Sequence, residues 1–214
     1  MKIVKINYKN PDSGVMRKAA EIIKKGGLVV VPTETVYGIL GNGLNEKTVK
    51  KLLKLKKRTK DKGFDLTLYP LKRIFKYVEF NPLVSKILEK FPEQPLSFAL
   101  PRKELLPAYL NPGFKTVAFH FFFSELDKEL FKYISTPLIG TSANISELPD
   151  THSVKEVAEY FRHTFGSSLE PDLILDGGKL PGRKPSAIIE LAKDIKIIRP
   201  GDISKEIIEK ELKK

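Results

Sequence analysis

The apolar residues of this chain fall into short runs whose spacing changes from one segment to the next. Val15, Met16, Ala19, Ala20, Ile22 and Ile23 recur at helical intervals, which predicts a helix over about 14–25. Asn10-Pro11-Asp12-Ser13 ahead of it offers side-chain oxygens for its first free N–H groups. KIVKIN at 2–7 reads as a short strand. Leu28, Val29, Val30 and Val31 follow Gly26-Gly27 without a polar break, as in a strand buried on both faces. Pro32 has no N–H for a ladder, so that strand ends there or lies at an edge. Leu44-Asn45-Glu46 opens a second helix, with Val49, Leu52, Leu53 and Lys56 sharing one face. FDLTLY at 64–69 alternates like a strand. A third helix spans 82–91.

LSFAL (96–100) and TVAFHFFF (116–123) read as strands, and 125–134 as a helix. PLIGTSAN (137–144) is a strand running into a polar loop. Ser153 caps a helix over about 154–165. DLILDGG (172–178), SAIIEL (186–191) and IKIIRPG (195–201) are strands or strand ends, and a last helix follows Ser204. The final ELKK is expected to be frayed and solvated. No repeat or low-complexity linker interrupts the chain. Strands and helices mix without strict alternation, which predicts an α/β fold: one domain, residues 1–214, with a twisted mixed sheet and helices around it.

Composition narrows the function. Apolar residues make up 41% of the 214, enough for a substantial core. No run of about 18 apolar residues occurs, so no membrane span is expected. The opening MKIVKINYKN lacks a signal-peptide core, and a cytoplasmic protein is expected. The chain has no Cys, which excludes thiol nucleophiles, disulfides and Cys-bound zinc. Only three His are present, at 120, 152 and 163, so a His-built metal site is not expected. The net charge of +12 suits anionic partners such as nucleotides or RNA; a lysine-rich surface of the heat-adapted kind accounts for it equally well.

Four polar clusters follow apolar elements. They are Thr33-Glu34-Thr35-Val36-Tyr37, Lys56-Lys57-Arg58, Thr141-Ser142-Ala143-Asn144, and Pro185-Ser186 with Arg199-Pro200-Gly201. Each has an ordinary explanation: a polar turn, a helix end whose cations face the negative dipole, a capping loop. Taken together they offer cations for phosphates and hydroxyls with an amide for directed hydrogen bonds. Neither a nucleophilic triad nor a glycine-rich phosphate loop is present.

In this order, PTETVYG at 32–38, Lys56-Lys57-Arg58 as K-x-R, Ser142-Ala143-Asn144 as S-x-N, the DGG at 176–178, Pro185-Ser186-Ala187-Ile188-Ile189 and Arg199-Pro200-Gly201 resemble the YrdC-like family of threonylcarbamoyl-adenylate synthases. The resemblance covers nearly the whole chain. It implies a YrdC-like twisted α/β fold with a basic concave face. It implies condensation of L-threonine, bicarbonate and ATP, with Mg2+ on the ATP, into threonylcarbamoyl-AMP. Partner proteins would then transfer the threonylcarbamoyl group to a tRNA adenosine. Carried over residue by residue, the resemblance puts Lys56 and Arg58 on phosphates, and Thr116, Ser142, Asn144 and Arg199 on ATP. Thr35 and Ser186 would hydrogen-bond threonine, with the Gly140 backbone beside it. No residue is implied as a catalytic base, in keeping with a reaction that needs neutralised charge and alignment.

The departures gather in one half. The family's segment after K-x-R is here Thr59-Lys60-Asp61-Lys62-Gly63-Phe64, a frequent His is Thr67, and a usual Thr is Ser97. The family's P-G-P is Pro92-Glu93-Gln94-Pro95. The V-x-V-R-x-P strand reads Val117-Ala118-Phe119-His120-Phe121-Phe122, with His120 where the family has an Arg near the amino-acid carboxylate. His120 cannot form a bidentate fork; it is an altered carboxylate site or a packed strand histidine. Three outcomes remain open. One is a working synthase whose carboxylate contact comes from elsewhere, with Lys62 and Arg102 as candidates. Another is a divergent paralogue of the YciO kind, although that branch tends to lose the K-x-R and S-x-N residues kept here. The third is a module binding tRNA or double-stranded RNA through the lysines around the second helix, including Lys50, Lys51, Lys54, Lys57, Lys60 and Lys62.

Overall fold

A computed structural model describes residues 2–59, 62–92, 94–121, 123–165, 169–181, 186–191 and 195–212. Lys60, Asp61, Glu93, Phe122, Pro185 and the terminal Lys213-Lys214, all of which entered the sequence reading, lie outside the described residues.

The chain runs β1 (Lys2–Lys5), α1 (Ser13–Lys24), β2 (Val29–Pro32), β3 (Tyr37–Asn42), α2 (Glu46–Lys56), β4 (Asp65–Thr67), a 3-10 turn (Leu71–Lys76), α3 (Pro82–Lys90), β5 (Leu96–Pro101), β6 (Thr116–His120), α4 (Glu125–Leu130), β7 (Leu138–Ser142), α5 (Val154–Phe165), β8 (Leu173–Asp176), β9 (Ala187–Leu191), β10 (Ile195–Arg199) and α6 (Lys205–Leu212). The strands form one twisted mixed sheet in the order β1-β8-β2-β3-β7-β4-β6-β5-β9-β10. Neighbours β1/β8, β8/β2, β4/β6 and β5/β9 are parallel, and the others antiparallel.

The caps foreseen in the sequence are present. Asp12 accepts from Val15 N–H at 2.8 Å, and Asn45 accepts from Thr48 N–H at 3.2 Å, each satisfying a free donor of the first turn. α1 buries Met16, Ala19, Ala20 and Ile23. On α2, Leu55 is buried with Val49, Leu52 and Lys56, whereas Leu53 is half-buried. The core between sheet and helices holds Leu28, Ile39, Leu66, Phe98, Phe119 and Phe161, each fully buried. Every such side chain contributes on the order of 1.5–3 kcal/mol on burial.

The sequence reading missed β3. Gly38, Gly41 and Gly43 make the segment resemble a loop. Gly41 is instead a packing device: a Cβ there would stand 2.6 Å from Thr48 Cγ2 and 2.8 Å from Leu28 Cδ2, so its absence lets α2 sit down on β3. β2 and β3 form a hairpin in which Pro32 pairs with Tyr37. Pro32 therefore ends a strand deep in the sheet, and Thr33–Val36 form the hairpin loop. Several elements are shorter than read, β1 and β4 by two and three residues. β6 stops at His120, although Phe121 N–H still donates to Leu96 O at 2.9 Å. α4 ends at Leu130, and it starts with a reciprocal Ser124–Asp127 capping box.

Candidate functional site

Lys56 is the last residue of α2 and is 1% exposed. Its Nζ donates to Asn144 Oδ1 at 2.6 Å and to Ser142 O at 2.7 Å, with Ser142 Oγ at 3.5 Å. Ser142 Oγ in turn donates to the same Asn144 Oδ1 at 2.7 Å, and Asn144 Nδ2 donates to Leu148 O at 2.6 Å. The amide is thus fixed at both ends. A buried ammonium is costly unless paired or hydrogen-bonded. Burial chiefly, and the Arg58 charge next, lower the Lys56 pKa to about 7, while Asp150 opposes the shift.

The chain turns sharply after Lys56. Lys57 takes the left-handed conformation, φ 48°, and Arg58 follows as a separate cation. Its guanidinium lies 5.0 Å from the Phe64 ring centre, a cation–π distance. Nε donates to Lys62 O at 2.9 Å and Nη2 to Gly63 O. Lys62 pairs with Glu147 at 2.7 Å, joining this turn to the loop after β7.

Lys56 and Arg58 open onto a cavity of about 540 Å³. Thr35, Gly140, Ser142, Asn144, Ser186, Arg199 and His120 also line it. The residues nominated from the sequence therefore meet in one hollow, with one departure. Thr116 is not among the lining residues. It opens β6 opposite Pro101, and its Oγ1 is 3.2 Å from Glu190 Oε1. Of the two alternative carboxylate contacts, Lys62 lines the cavity; Arg102 does not, because its guanidinium donates to the carbonyls of Leu106, Pro107, Leu110 and Asn111.

The hairpin loop is ordered from within. Thr33 Oγ1 donates to Val36 O at 2.6 Å, accepts from Thr35 N–H at 3.2 Å and lies 3.2 Å from Thr35 Oγ1. Tyr37 OH donates to Gly178 O at 2.7 Å and accepts from Gly177 N–H at 3.1 Å. These bonds tie the DGG turn to β3. Gly177 fits only without a side chain, because its Cβ would stand 2.8 Å from Pro32. Burial pushes the Tyr37 hydroxyl up to about 12, so it stays a neutral donor.

Another part of the cavity wall pairs its cation. Arg199 Nε donates to Ser186 O at 2.9 Å, and its Nη2 lies 3.3 Å from Asp65 Oδ2. Burial raises the Asp65 carboxyl, with Arg199 and Arg58 pulling against it. Thr67, His120 and Ser97 line the same region, and Ser97 Oγ is 3.3 Å from His120 Nδ1. Burial first, and the Arg199 charge second, lower the His120 pKa to about 4, so the imidazole is neutral at neutral pH. Asp65, Asp127 and Asp150 line the cavity too. Sequence reasoning did not nominate them. For Asp65 the signal was available, as a carboxylate in the otherwise apolar and hydroxyl-bearing run FDLTLY.

The cavity wall thus combines cations suited to a polyanion with neutral groups suited to directed hydrogen bonds. Comparison with known proteins gives the family. The family model Sua5_yciO_yrdC, described as "Telomere recombination", matches residues 21–201. A protein named threonylcarbamoyl-AMP synthase from Pyrococcus abyssi is 33% identical over 197 residues, covering 91% of this chain; the chain spans 56% of that relative's length. A protein named putative threonylcarbamoyl-AMP synthase from Methanocaldococcus jannaschii is 32% identical over 208 residues, 94% of each chain. Among solved structures, P. abyssi Sua5 complexed with L-threonine has a TM-score of 0.86 at 30% identity, over 99% of this chain and 61% of that one. E. coli YciO, at 21% identity, has a TM-score of 0.82 over 97% of this chain and 100% of its own, and shows the shared fold. On a family match over most of its length and relatives above 30% identity, this chain belongs to the Sua5/YciO/YrdC family.

Proposed function

We propose that the chain is a threonylcarbamoyl-AMP synthase, which condenses L-threonine, bicarbonate and ATP and releases pyrophosphate. The observation that carries this reading is the convergence of Lys56, Arg58, Ser142 and Asn144 on one cavity. A relative named putative threonylcarbamoyl-AMP synthase that matches 94% of this chain supports it.

The reaction has two bond-making stages. The threonine amine takes up the carbon of bicarbonate with loss of water, giving an N-carboxylate. One oxygen of that carboxylate then attacks the α-phosphorus of ATP, and pyrophosphate leaves with the electron pair of the broken P–O bond. Both stages bring anions together, so fixed cations and donors aimed at the phosphates supply most of what the protein must provide. Lys56 is a point charge held in place by Ser142 and Asn144; Arg58 is a planar fork. In this reading they hold phosphates, and Ser142, Asn144 and Arg199 flank the nucleotide. Thr35, Ser186 and the Gly140 backbone hold threonine. A magnesium ion would arrive on the triphosphate and neutralise part of its charge; Glu34 and Asp150 are carboxylates on the cavity wall that can face it.

The product would pass to threonylcarbamoyl-transfer proteins acting on a tRNA adenosine, in the cytoplasm. The charge of +12 favours a direct approach to tRNA as well. The test is pyrophosphate release from ATP measured with threonine and bicarbonate added singly and together. Release that needs both supports the reading; release indifferent to either one overturns it.

A further inference from the structure

Resting on the synthase reading, in which Arg58 holds phosphate, we propose that Asn111 is a positioning residue: it clamps the backbone of Phe64 and thereby sets where the Arg58 guanidinium stands. Asn111 Oδ1 accepts from Phe64 N–H at 2.8 Å, and Asn111 Nδ2 donates to Phe64 O at 2.9 Å. One side-chain amide thus pairs with both polar groups of one backbone residue, 47 positions away in the chain. Asn111 is 5% exposed and Phe64 3%, so breaking the clamp leaves buried groups without partners.

Three contacts that orient Arg58 come from the segment this clamp holds. Its Nε donates to Lys62 O, its Nη2 to Gly63 O, and its guanidinium lies against the Phe64 ring. Residues 62, 63 and 64 are consecutive, so fixing the Phe64 backbone fixes the ring and the two carbonyls before it. Arg58 lines the substrate cavity, whereas Asn111 and Phe64 are among the residues lining a second cavity of about 160 Å³. Asn111 therefore acts on Arg58 from behind, through Phe64.

The loop that carries Asn111 is itself anchored. Arg102 donates to the carbonyls of Leu106, Pro107, Leu110 and Asn111, which presents the amide from a fixed backbone. Asn111 has φ 51°, in the left-handed region that favours glycine and, after it, asparagine and aspartate. Glycine would suit that backbone without strain. What asparagine adds is the pair of bonds to Phe64. Anchoring of the loop and positioning of Arg58 differ in one respect: only the second runs through the guanidinium.

The experiment is a double-mutant cycle on ATP affinity, read by calorimetry, with Asn111→Gly and Arg58→Ala. Asn111→Gly keeps the backbone conformation and removes both bonds. With Arg58 present it is expected to weaken ATP binding about fivefold, within the range of coupling between residues joined by contacts. With Arg58→Ala it should change ATP affinity by less than about twofold, while the urea midpoint falls similarly in both backgrounds. Asn111→Asp also accepts a positive φ and keeps the bond from Phe64 N–H. It goes through the same cycle, so that a failure of Asn111→Gly to fold does not end the test, and should show a smaller loss with the same dependence on Arg58. Leu110 is 1% exposed in the same loop; Leu110→Ala should lower the urea midpoint and leave ATP affinity within about twofold. Equal ATP losses with and without Arg58, no loss with Arg58 present, or a loss from Leu110→Ala as large as that from Asn111→Gly overturns the proposal. Pyrophosphate release by the wild type is read in parallel. An Arg58-dependent loss without threonine- and bicarbonate-dependent release would sink the synthase reading alone. Such release with equal losses in both backgrounds would sink this assignment alone.

Discussion

Lys56 Nζ and Asn144 Oδ1 lie 2.6 Å apart, joining residues separated by 88 positions in the chain. The contact brings the end of α2 against the loop after β7 and puts a buried cation at the wall of the cavity. Keeping a lysine there opposes folding, since its ammonium is stripped of water. Strong perturbation of this kind, in a cavity, marks groups kept for function rather than stability.

Replacement of Lys56 by Met should separate the two roles. ATP affinity should fall at least about tenfold, the loss of one charge-assisted contact. Stability should respond in a pH-dependent way. The folded-state pKa is about 7 against 10.5 unfolded, so between those values the unfolded chain binds more protons and wild-type stability rises with pH. Below about 7 the penalty is fully present. Urea midpoints at pH 6.5 and pH 9 should therefore climb in the wild type and stay flatter in Lys56→Met. Parallel slopes would show that the lysine is not held in the low-pKa state.

The elements of this fold were mostly legible in the sequence because their apolar spacing is clear. α1, α2 and the Val29–Val31 run need no tertiary knowledge. β3 was hidden because the glycines that let helix and hairpin pack closely also look like turn signals. The site was legible where one residue type has one use, as for Lys56 and Arg58 flanking a helix end. It was not legible where partners are set by register. Nothing local in FDLTLY says that Thr67 will stand beside His120, or that Asp65 will meet Arg199.

Thr116 supplies a test of how far family correspondence carries. By resemblance it touches ATP; in the structure its hydroxyl lies against Glu190, outside the cavity. Thr116→Val should leave the ATP dissociation constant within about twofold and cost about 1 kcal/mol of stability from one lost hydrogen bond. Ser142→Ala, by contrast, should weaken ATP binding measurably. Equal loss in the two variants would mean that Thr116 swings into the cavity when nucleotide binds.

Tyr37 should matter for stability before chemistry. Its hydroxyl satisfies Gly178 O and Gly177 N–H together. Tyr37→Phe removes both bonds and leaves two backbone groups at the DGG turn without their partner. A loss of about 2 kcal/mol is expected in urea unfolding, with no pH dependence between 6 and 9, since the phenol stays neutral up to about 12. A change under 0.5 kcal/mol, on the order of a surface substitution, would mean that solvent replaces the hydroxyl at no cost.

His120 should make the protein acid-sensitive. Burial and the nearby Arg199 hold its pKa at about 4, against 6.5 when unfolded. Between those values the unfolded chain binds a proton that the folded one refuses, so the stability contributed by the neutral imidazole is complete above 6.5 and is lost as pH falls toward 4. Asp65 and Asp127 work in the opposite direction, because burial raises both and the folded state then takes protons first. The slope of the wild type alone would mix these effects. His120→Gln keeps a neutral polar side chain and removes only the titration. The difference in urea midpoint between the two proteins should therefore shift in favour of His120→Gln as pH drops from 7 to 4.5, while threonine binding at pH 7.5 changes little. If the difference is constant across that range, the folded and unfolded chains take up the His120 proton at the same pH, and burial does not hold the imidazole neutral in acid.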